Sequence, residues 1–300
     1  MAHSGAVVTC GTFDGMHRGH QAVLAEVTRR ARAGGLTSVL LTFEPHPLTV
    51  VNPAAAPKLL TLAEEKQELV RAQGVEQFVL MPFTRGVAQL DAEAFVGRLR
   101  QEYAMRELVM GYDHGFGRGR AGDVELVQGL ARAQGFAVAV VGAVRDQGQP
   151  ISSTLIRTAL AHGDLESAAR WLGRAYGIRG RVVRGAGRGR TIGVPTLNLE
   201  PPDDRKLLPP DGVYAVRVTL GAGSGEQYGG MMNQGPRPTF GENARTLEVH
   251  LFDFDGELYG ETVDVEWVHR LRDVQAFSSR EALVAQLERD RQAARATLNR

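Results

Sequence analysis

The sequence predicts an α/β protein in which a doubly wound parallel-sheet domain precedes a small antiparallel β-barrel domain with a C-terminal helix. In the first half, short apolar runs alternate with segments of helical periodicity, an order typical of a parallel sheet covered by helices. In the second half, short β-rich runs are separated by turns containing Gly, Pro or Asp, which favours antiparallel pairing. The 300 residues suffice for two such cores. We place the domains at residues 1–175 and 176–300.

The first domain contains five strands by this pattern. Their apolar runs, several of them apolar on both faces, are Ala6–Cys10, Leu36–Phe43, Val75–Met81, Glu107–Met110 and Phe136–Val141. Helical spacing and start signals predict helices over His20–Ala33, from a Thr61/Glu64 capping box to Gln73, over Ala92–Tyr103 and over Asp123–Ala133. A further helical stretch, Ser153–Leu172, connects the two domains.

The barrel is predicted from four β-rich runs: Gly212–Leu220, Gln227–Met232, Arg245–Phe252 and Thr262–Val268. A final helix over Ser278–Asn299 opens with a Ser278/Glu281 capping box. Its apolar residues recur at helical spacing, so one face is expected to pack on the barrel.

Composition excludes several classes of protein. The net charge is only +1, so no overall field attracts nucleic acid or an anionic membrane, and anion binding must come from local clusters. Cys10 is the only cysteine, which excludes an intramolecular disulfide framework and a multi-cysteine zinc site. We find no signal peptide, and no apolar run approaches the about 20 residues of a membrane helix. We expect a cytoplasmic protein with neither a nucleic-acid nor a membrane partner; its oligomeric state stays open.

The first candidate site is the ten-residue string GTFDGMHRGH, which runs from Gly11 to His20 between the first strand and the first helix. A helix N-terminus favours phosphate through its unpaired N–H groups and partial positive charge. His17 and His20 lie on the same side of the first turn, where two imidazoles can stabilise charge on a phosphate chain. The plain alternative is a helix cap with two incidental histidines. A zinc site that adds His46 is weaker, because no carboxylate or thiolate completes it.

The second candidate site is a glycine-rich segment with five arginines, Arg179, Arg181, Arg184, Arg188 and Arg190. Alone, it could be a solvated turn or an RNA-contact patch. It continues into TIGVPTLN, residues 191–198, and lacks the Gly-Lys-[Ser/Thr] of a Walker loop. A third pattern, G-x-G-x-x-G over residues 117–122, suggests a dehydrogenase fingerprint. We reject that interpretation, because the fingerprint belongs in the first strand–helix turn.

The first string resembles the signature of the nucleotidylyltransferase superfamily in its FAD synthetase form. Three further segments match that family in order: TFEPHP at 42–47, GYDHGFG at 111–117 and ISSTLIR at 151–157. The resemblance implies catalytic roles for His17, His20 and Arg157. It also implies that the nucleotide and flavin are bound by Gly11, Phe13, Asp14, Gly19, Asp113, Phe116, Gly117, Ser153 and Thr154.

The second half resembles riboflavin kinase, through TIGVPTLN, PDGVYA at 210–215, NQGPRPTF at 233–240 and LEVHLFD at 247–253. The resemblance implies that Thr196 and Asn198 hold Mg²⁺ and that Glu248 is the general base. It implies that substrates contact Gly187, Gly189, Arg190, Gly193, Pro195, Thr196, Asn198 and Arg237. Leu197 stands where the family pattern has a small residue, and Gln234 where it has an aliphatic one.

Together the resemblances imply a bifunctional enzyme with two ATP-dependent reactions. The C-terminal domain would phosphorylate riboflavin to FMN, and the N-terminal domain would join AMP from a second ATP to FMN, giving FAD and pyrophosphate. The partners are then the small molecules ATP, riboflavin and FMN, with Mg²⁺. One alternative keeps the transferase but makes the barrel a regulatory or RNA-binding module. Another is an adenylyl- or cytidylyltransferase with a different acceptor.

Overall fold

The structure, a computed structural model, describes residues 5–185, 189, 193–200, 203–221, 225–237 and 242–299. Contacts between Cα atoms divide the chain into two compact units, Met1–Ser153 and Thr154–Arg300. No helix within these described ranges is long and apolar enough to cross a membrane.

The first unit is built on a five-stranded parallel sheet with the strand order β3-β2-β1-β4-β5. Its strands are β1 (Ala6–Cys10), β2 (Thr37–Glu44), β3 (Gln77–Pro82), β4 (Met105–Gly111) and β5 (Ala137–Val141). Its helices are α1 (Arg18–Gly34), α2 (Pro47–Val51), α3 (Ala63–Ala72), α4 (Arg85–Gln89), α5 (Ala92–Tyr103) and α6 (Val124–Gln134). A short hairpin follows, β6 (Arg145–Asp146) and β7 (Gln149–Pro150). The predicted doubly wound fold is confirmed.

Alternating side chains of the strands explain why both faces of this sheet are covered. Successive residues of a strand point to opposite faces, and in β1 both Val7 and Val8 are fully buried. Val7 packs with the apolar side of α1 and with Val70 of α3, whereas Val8 packs with α5 and α6. An uninterrupted apolar strand therefore requires helices on both sides.

The second unit contains a closed barrel with the strand order β10-β11-β12-β9-β8-β13, antiparallel throughout. Its strands are β8 (Tyr176–Val183), β9 (Leu197–Leu199), β10 (Gly212–Leu220), β11 (Gln227–Arg237), β12 (Glu242–Leu251) and β13 (Thr262–Arg272). Its helices are α7 (Ser153–Ala161), which starts at the last residue of the first unit, α8 (Leu165–Leu172) and α9 (Arg280–Leu298). The predicted barrel with a C-terminal helix is confirmed.

Two predicted helix starts are wrong by one residue. The side chain of Glu65, not Glu64, accepts a hydrogen bond from the backbone of Leu62, 2.8 Å away, because the Thr61 side chain is used in a loop contact instead. At α9 the cap is Ser279, whose hydroxyl accepts from the N–H of Ala282. At α9 two neighbouring serines offer equivalent capping chemistry, whereas the N-cap of α3 is Leu62, whose side chain makes no capping hydrogen bond.

The arginine-rich segment begins as a strand, which corrects its interpretation as a loop throughout. In β8 the residues Ile178 and Val182 are buried, and Arg179 and Arg181 alternate with them. The guanidinium of Arg179 donates two hydrogen bonds to Asp264 of the paired strand, at 2.7 and 2.8 Å. This ion pair engages Arg179 within the sheet, whereas Arg181 and Arg184 are exposed.

The connecting helical stretch is two helices instead of one. Gly163 has a left-handed backbone, with φ of +75°, which ends α7. Asp164 then caps α8 by accepting a hydrogen bond from the N–H of Ser167. Glycine tolerates that conformation without strain, and an aspartate after it starts a new helix.

Helix α9 is attached to the barrel by a buried ion pair. Asp290, 3% exposed, accepts hydrogen bonds from Arg272 of β13, the shortest 2.7 Å, and from Gln286. Removal of one partner leaves the other charge buried and uncompensated. We predict that Asp290→Ala lowers the free energy of unfolding of this unit by about 3–5 kcal/mol.

Urea denaturation followed by tryptophan fluorescence measures this effect, because both tryptophans, Trp171 and Trp267, lie in the second unit. Glu288→Ala is the matched control on the same helix, since Glu288 forms an exposed ion pair with Arg291. Exposed pairs contribute about 0–1 kcal/mol. Equal destabilisation by the two variants would contradict the prediction.

Candidate active sites

The sheet of the first unit has a topological switch point between β1 and β4. The chain runs from β1 through β2 to β3 on one side, then crosses to β4 and continues to β5 on the other side. In open α/β sheets, ligands bind outside the carboxyl ends of the strands at such a point. The loops after the two strands meet here, with the Sγ of Cys10 3.8 Å from the Nε2 of His114. Strand order thus brings together the first string and the GYDHGFG segment.

His17 and His20 stack at the start of α1, with ring centroids 3.6 Å apart and planes inclined by 16°. His17 is the N-cap of α1, and its Nδ1 accepts a hydrogen bond of 3.3 Å from the N–H of His20. Because Nδ1 is the acceptor, the neutral His17 ring carries its proton on Nε2. The sequence expectation that both imidazoles share one side of the first turn is met by this geometry.

The surroundings of the His20 imidazole disfavour its protonated form. Burial lowers its pKa well below the ordinary value, and the nearby His17, Lys66 and His114 lower the pKa further. Its Nδ1 is buried and makes no hydrogen bond to any residue that the structure describes. A buried nitrogen of this kind is typical of a site where a ligand completes the bonding.

A buried network of hydrogen bonds supports the loop before these histidines. The carboxylate of Asp14, 1% exposed, accepts from the N–H groups of Leu60 and Thr61 at 2.9–3.0 Å. The Thr61 hydroxyl donates to Asp14 and accepts from the N–H of Gly15, whose φ of +82° suits glycine. Asp14 therefore organises the loop, and the ligand contact implied by the resemblance stays a prediction.

The structure also places a lysine in this network that the sequence analysis missed. Lys66 of α3 is 6% exposed, and its Nζ donates to the carbonyl of Thr12 at 2.7 Å. The signal was available, because Lys66 and Val70 are four residues apart on the buried side of α3. A lysine at an apolar-face position is unusual in a helix and indicates a specific acceptor.

Several other predicted residues lie around the same loops. Ser153, the first residue of α7, donates to the carbonyl of Asp14 at 2.8 Å. A Cβ at Gly11 would lie 3.2 Å from the Phe13 ring, and a Cβ at Gly19 would lie 3.1 Å from the His17 ring. Glycine at these two positions therefore lets the rings approach the backbone closely. Phe13 in turn packs against His20, with centroids 4.8 Å apart.

The loop after β4 contains the remaining predicted residues of this site. Asp113 is exposed, whereas Phe116 is buried against Phe95 with centroids 5.2 Å apart. Gly117 and Gly122 are placed by close packing on Ala92. This packing role of the two glycines agrees with the rejection of the dehydrogenase fingerprint.

Thr154 and Arg157 continue along α7 in the second unit. Their participation in the nucleotide site stays a prediction.

In the barrel, Glu248 of β12 lies directly between two asparagines on neighbouring strands. The register pairs it with Asn198 of β9 on one side and Asn233 of β11 on the other. Residues directly opposite in antiparallel strands have Cβ atoms about 4.5–5.5 Å apart on the same face. Leu247 and Val249 alternate with Glu248 and are buried, so the carboxylate is on the face opposite the barrel core. Asn233 was not assigned a role from the sequence.

The glycine-rich segment packs against the TIGVPTLN segment. A Cβ on Gly185 would overlap the side-chain amide of Asn198, and one on Gly189 would overlap the Val194 carbonyl and lie 3.3 Å from Thr196 Oγ1. The N–H of Val194 also donates to Gly189. Glycine is therefore required at these two positions by close approach. Thr196, Asn198 and Glu248 are consequently grouped beside this segment.

Pro195 is held by a histidine that sequence reasoning missed. The Nδ1 of His250 donates to the Pro195 carbonyl at 2.7 Å, and burial lowers the pKa of this imidazole. Gly193 is exposed beside this turn. Among the other predicted contacts, Gly187 and Arg190 lie outside the described residues, as does the side chain of Arg237 at the end of β11.

Both departures from the family pattern are accommodated. Gln234 is fully buried, donates to the carbonyl of Pro210 at 3.1 Å and accepts from the indole of Trp267 at 3.2 Å. Leu197 is half-buried and pairs with Val249, on the same side of β9 as the buried Leu199.

A doubly wound unit with two histidines at its switch point, followed by a barrel with a glycine-rich loop beside a carboxylate, defines a two-unit nucleotide-using transferase. Residues 1–155 match the family model of FAD synthetase, and residues 172–298 match that of riboflavin kinase. The chain belongs to the family of bifunctional riboflavin kinases/FMN adenylyltransferases.

Its relatives include proteins of that name from three bacteria. The Pseudomonas fluorescens protein is 39% identical over 296 residues, covering 98% of this chain and 93% of the relative. The Escherichia coli K12 protein is 39% identical over 292 residues, covering 97% and 92%. The Bacillus subtilis protein is 36% identical over 293 residues, covering 96% and 91%.

A crystal structure described as a macrolide-efflux protein from Streptococcus pneumoniae has the same fold. It superposes with a TM-score of 0.87 at 34% identity, covering 98% of this chain and 95% of that one. The likeness extends over both units and supports the fold that the two family matches indicate.

Proposed function

We propose that this chain makes FAD in two steps, phosphorylating riboflavin in the barrel and adenylylating FMN in the doubly wound unit. The observation that carries the proposal is that one chain contains two separate loops suited to binding the phosphates of a nucleotide. One loop begins α1 beside His17 and His20, and the other packs against Asn198 beside Glu248. Each loop belongs to a different compact unit.

In the kinase reaction, Glu248 accepts the proton of the terminal ribityl hydroxyl of riboflavin as that oxygen attacks the γ-phosphorus of ATP. The glycines at 185–193 let the backbone approach the phosphates, with Arg190 and Arg237 as proposed cationic contacts. The products are FMN and ADP. Glu248 is half-buried on the side of β12 opposite the barrel core, while Leu247 and Val249 fix the strand through the core.

The grouping of Thr196, Asn198 and Glu248 supplies hydroxyl, amide and carboxylate oxygens, the ligand types that Mg²⁺ prefers. We propose that Thr196 and Asn198 hold the ion. When bound, Mg²⁺ neutralises charge on the phosphate oxygens. The structure describes no cluster of three or more His, Cys, Asp or Glu able to hold a metal by itself, so phosphates would complete this set.

In the adenylyl transfer, an FMN phosphate oxygen attacks the α-phosphorus of ATP and pyrophosphate leaves. The nucleophile is ionised near neutral pH, so no strong general base is needed. His17 and His20 donate hydrogen bonds to the phosphate chain, and Arg157, Ser153 and Thr154 hold its outer oxygens. Asp113 and the turn at Phe116 contribute to binding the flavin and the adenosine part of the nucleotide.

We propose a domain boundary at 175/176, close to residue 172, where the match to the riboflavin kinase family begins. We also propose a cytoplasmic location, where ATP is supplied and where the one buried cysteine suits a reducing compartment.

The direct test incubates the purified full chain with riboflavin, ATP and magnesium and resolves the flavins by chromatography over time. We expect FMN to rise first and FAD to follow. A second incubation with FMN and ATP isolates the adenylyl transfer. Absence of FMN from the first would remove the kinase, and absence of FAD from the second would remove the adenylyltransferase.

The close approach of Gly185 to Asn198 gives a further prediction. Gly185→Ala places a methyl group on the Asn198 amide, and overpacking of this kind costs about 1–3 kcal/mol. We expect riboflavin kinase kcat/KM to fall about ten- to hundredfold, with FMN adenylylation unchanged. Gly129→Ala is the matched control, since a Cβ at that helical position meets no atom within 4 Å. Unchanged kinase activity in Gly185→Ala would contradict the proposed Asn198 role.

A further inference from the structure

The ammonium group of Lys66 lies buried behind the loop between β1 and α1. Its Nζ donates to the carbonyl of Thr12 at 2.7 Å and lies 3.4 Å from the hydroxyl of Thr42. The Thr42 hydroxyl itself donates to the same Thr12 carbonyl at 3.1 Å. A carbonyl oxygen has two lone pairs. Lys66 and Thr42 therefore engage both and fix the peptide between Thr12 and Phe13.

Burial of this ammonium is costly to the fold. It lowers the pKa of Lys66 from the ordinary value, although Asp14 and Glu44 act in the opposite direction. The hydrogen-bond acceptors described for it are neutral oxygens. The desolvation of a buried charge offsets much of what its contacts contribute to stability. A buried lysine retained despite this cost indicates a role other than stability.

The peptide that Lys66 holds precedes a strained residue. Phe13 has a φ of +45°, in the left-handed region that is unfavourable for a side chain other than glycine. Such strain costs about 1–3 kcal/mol and persists only where the surroundings enforce it. The Phe13 ring packs on His20, whose ring stacks on His17. The orientation of both imidazoles thus depends on the peptide that Lys66 and Thr42 secure.

We propose that Lys66 is a positioning residue for adenylyl transfer, which clamps the Thr12 carbonyl so that Phe13 and His20 keep their orientation toward the phosphate chain. The proposal rests on the proposed function of this unit. Lys66 acts through the loop and does not contact the reacting atoms. Its effect is therefore expected in the rate of the chemical step more than in nucleotide binding.

The test is Lys66→Met in the full chain, which keeps the length and removes the charge. We expect kcat for conversion of FMN to FAD to fall at least about tenfold while KM for ATP stays within about threefold, since the lost interaction acts in the transition state. Riboflavin kinase activity of the same protein should not change. The melting temperature, followed by calorimetry, should stay well above the assay temperature, so that loss of folded protein does not account for the fall in kcat.

Thr42→Val removes the second donor to Thr12, so its adenylyl kcat should also fall, by less than for Lys66→Met. Thr42→Val also tests the proposal if Lys66→Met does not fold. Thr28→Val is the matched control, because Thr28 is a buried threonine that donates to carbonyls within α1.

Three results would overturn the proposal: kcat within twofold of the parent for both site variants, a change in KM alone, or, for both site variants, a fall in melting temperature with loss of both activities. An unmutated protein that makes no FAD from FMN would instead refute the proposed function.

Discussion

Glu248→Gln is expected to abolish FMN formation while conversion of supplied FMN to FAD continues at the parental rate. Glutamine keeps the size of the side chain and its place between Asn198 and Asn233 but cannot take the proton of the ribityl hydroxyl. Loss of a general base typically reduces turnover about 10²–10⁴-fold. The measurement is kcat for each half-reaction with separate substrates.

Glu266→Gln is the control for this experiment. Glu266 is another half-buried glutamate on the outer side of a barrel strand, and burial raises its pKa. Its substitution should leave both half-reactions unchanged. If Glu248→Gln stopped both reactions, the two activities would share a site, contrary to the division into two units. If FMN formation continued unchanged, another group would be the base.

His20→Ala is expected to slow conversion of FMN to FAD about 10²–10³-fold and to leave riboflavin kinase turnover intact. The imidazole is a positioned hydrogen-bond donor, and removing one such donor from a charge-stabilising site has effects of this size. The rings of His17 and His20 are stacked, so loss of one also loosens the other. The double variant should therefore be little worse than His20→Ala alone.

His269→Ala provides the control, since His269 is an exposed histidine on β13 of the barrel. It should leave FAD formation unchanged. A fully additive effect of the His17 and His20 substitutions would show that the stacked rings act independently. An unaffected rate of FAD synthesis in His20→Ala would remove these histidines from the mechanism.

The alternation of apolar runs and helical segments was sufficient to predict the doubly wound sheet, because strand and helix periodicities are local properties of the chain. The order of elements then placed the first string at the carboxyl end of a parallel strand. Two strands of the barrel were missed, β8 and β9, since glycines and arginines replace the usual apolar alternation in one and the other has three residues. Their positions depend on closure of the barrel by partners distant in sequence.

The candidate sites show the same contrast between features that are local in the sequence and features that depend on packing. The sequence alone determined the two chemical strings, the histidine pair at a helix start and the glutamate within a strand, because each depends on neighbours within a few residues. Only the tertiary structure decided that Thr61 and Lys66 hydrogen-bond to the loop between β1 and α1. Their partners there, Asp14 and Thr12, are 47 and 54 residues away in the sequence. The tertiary structure also decided that Asp14 organises the loop and that Glu248 faces Asn198 and Asn233. Such contacts arise from how helices and strands pack, which local sequence patterns do not specify.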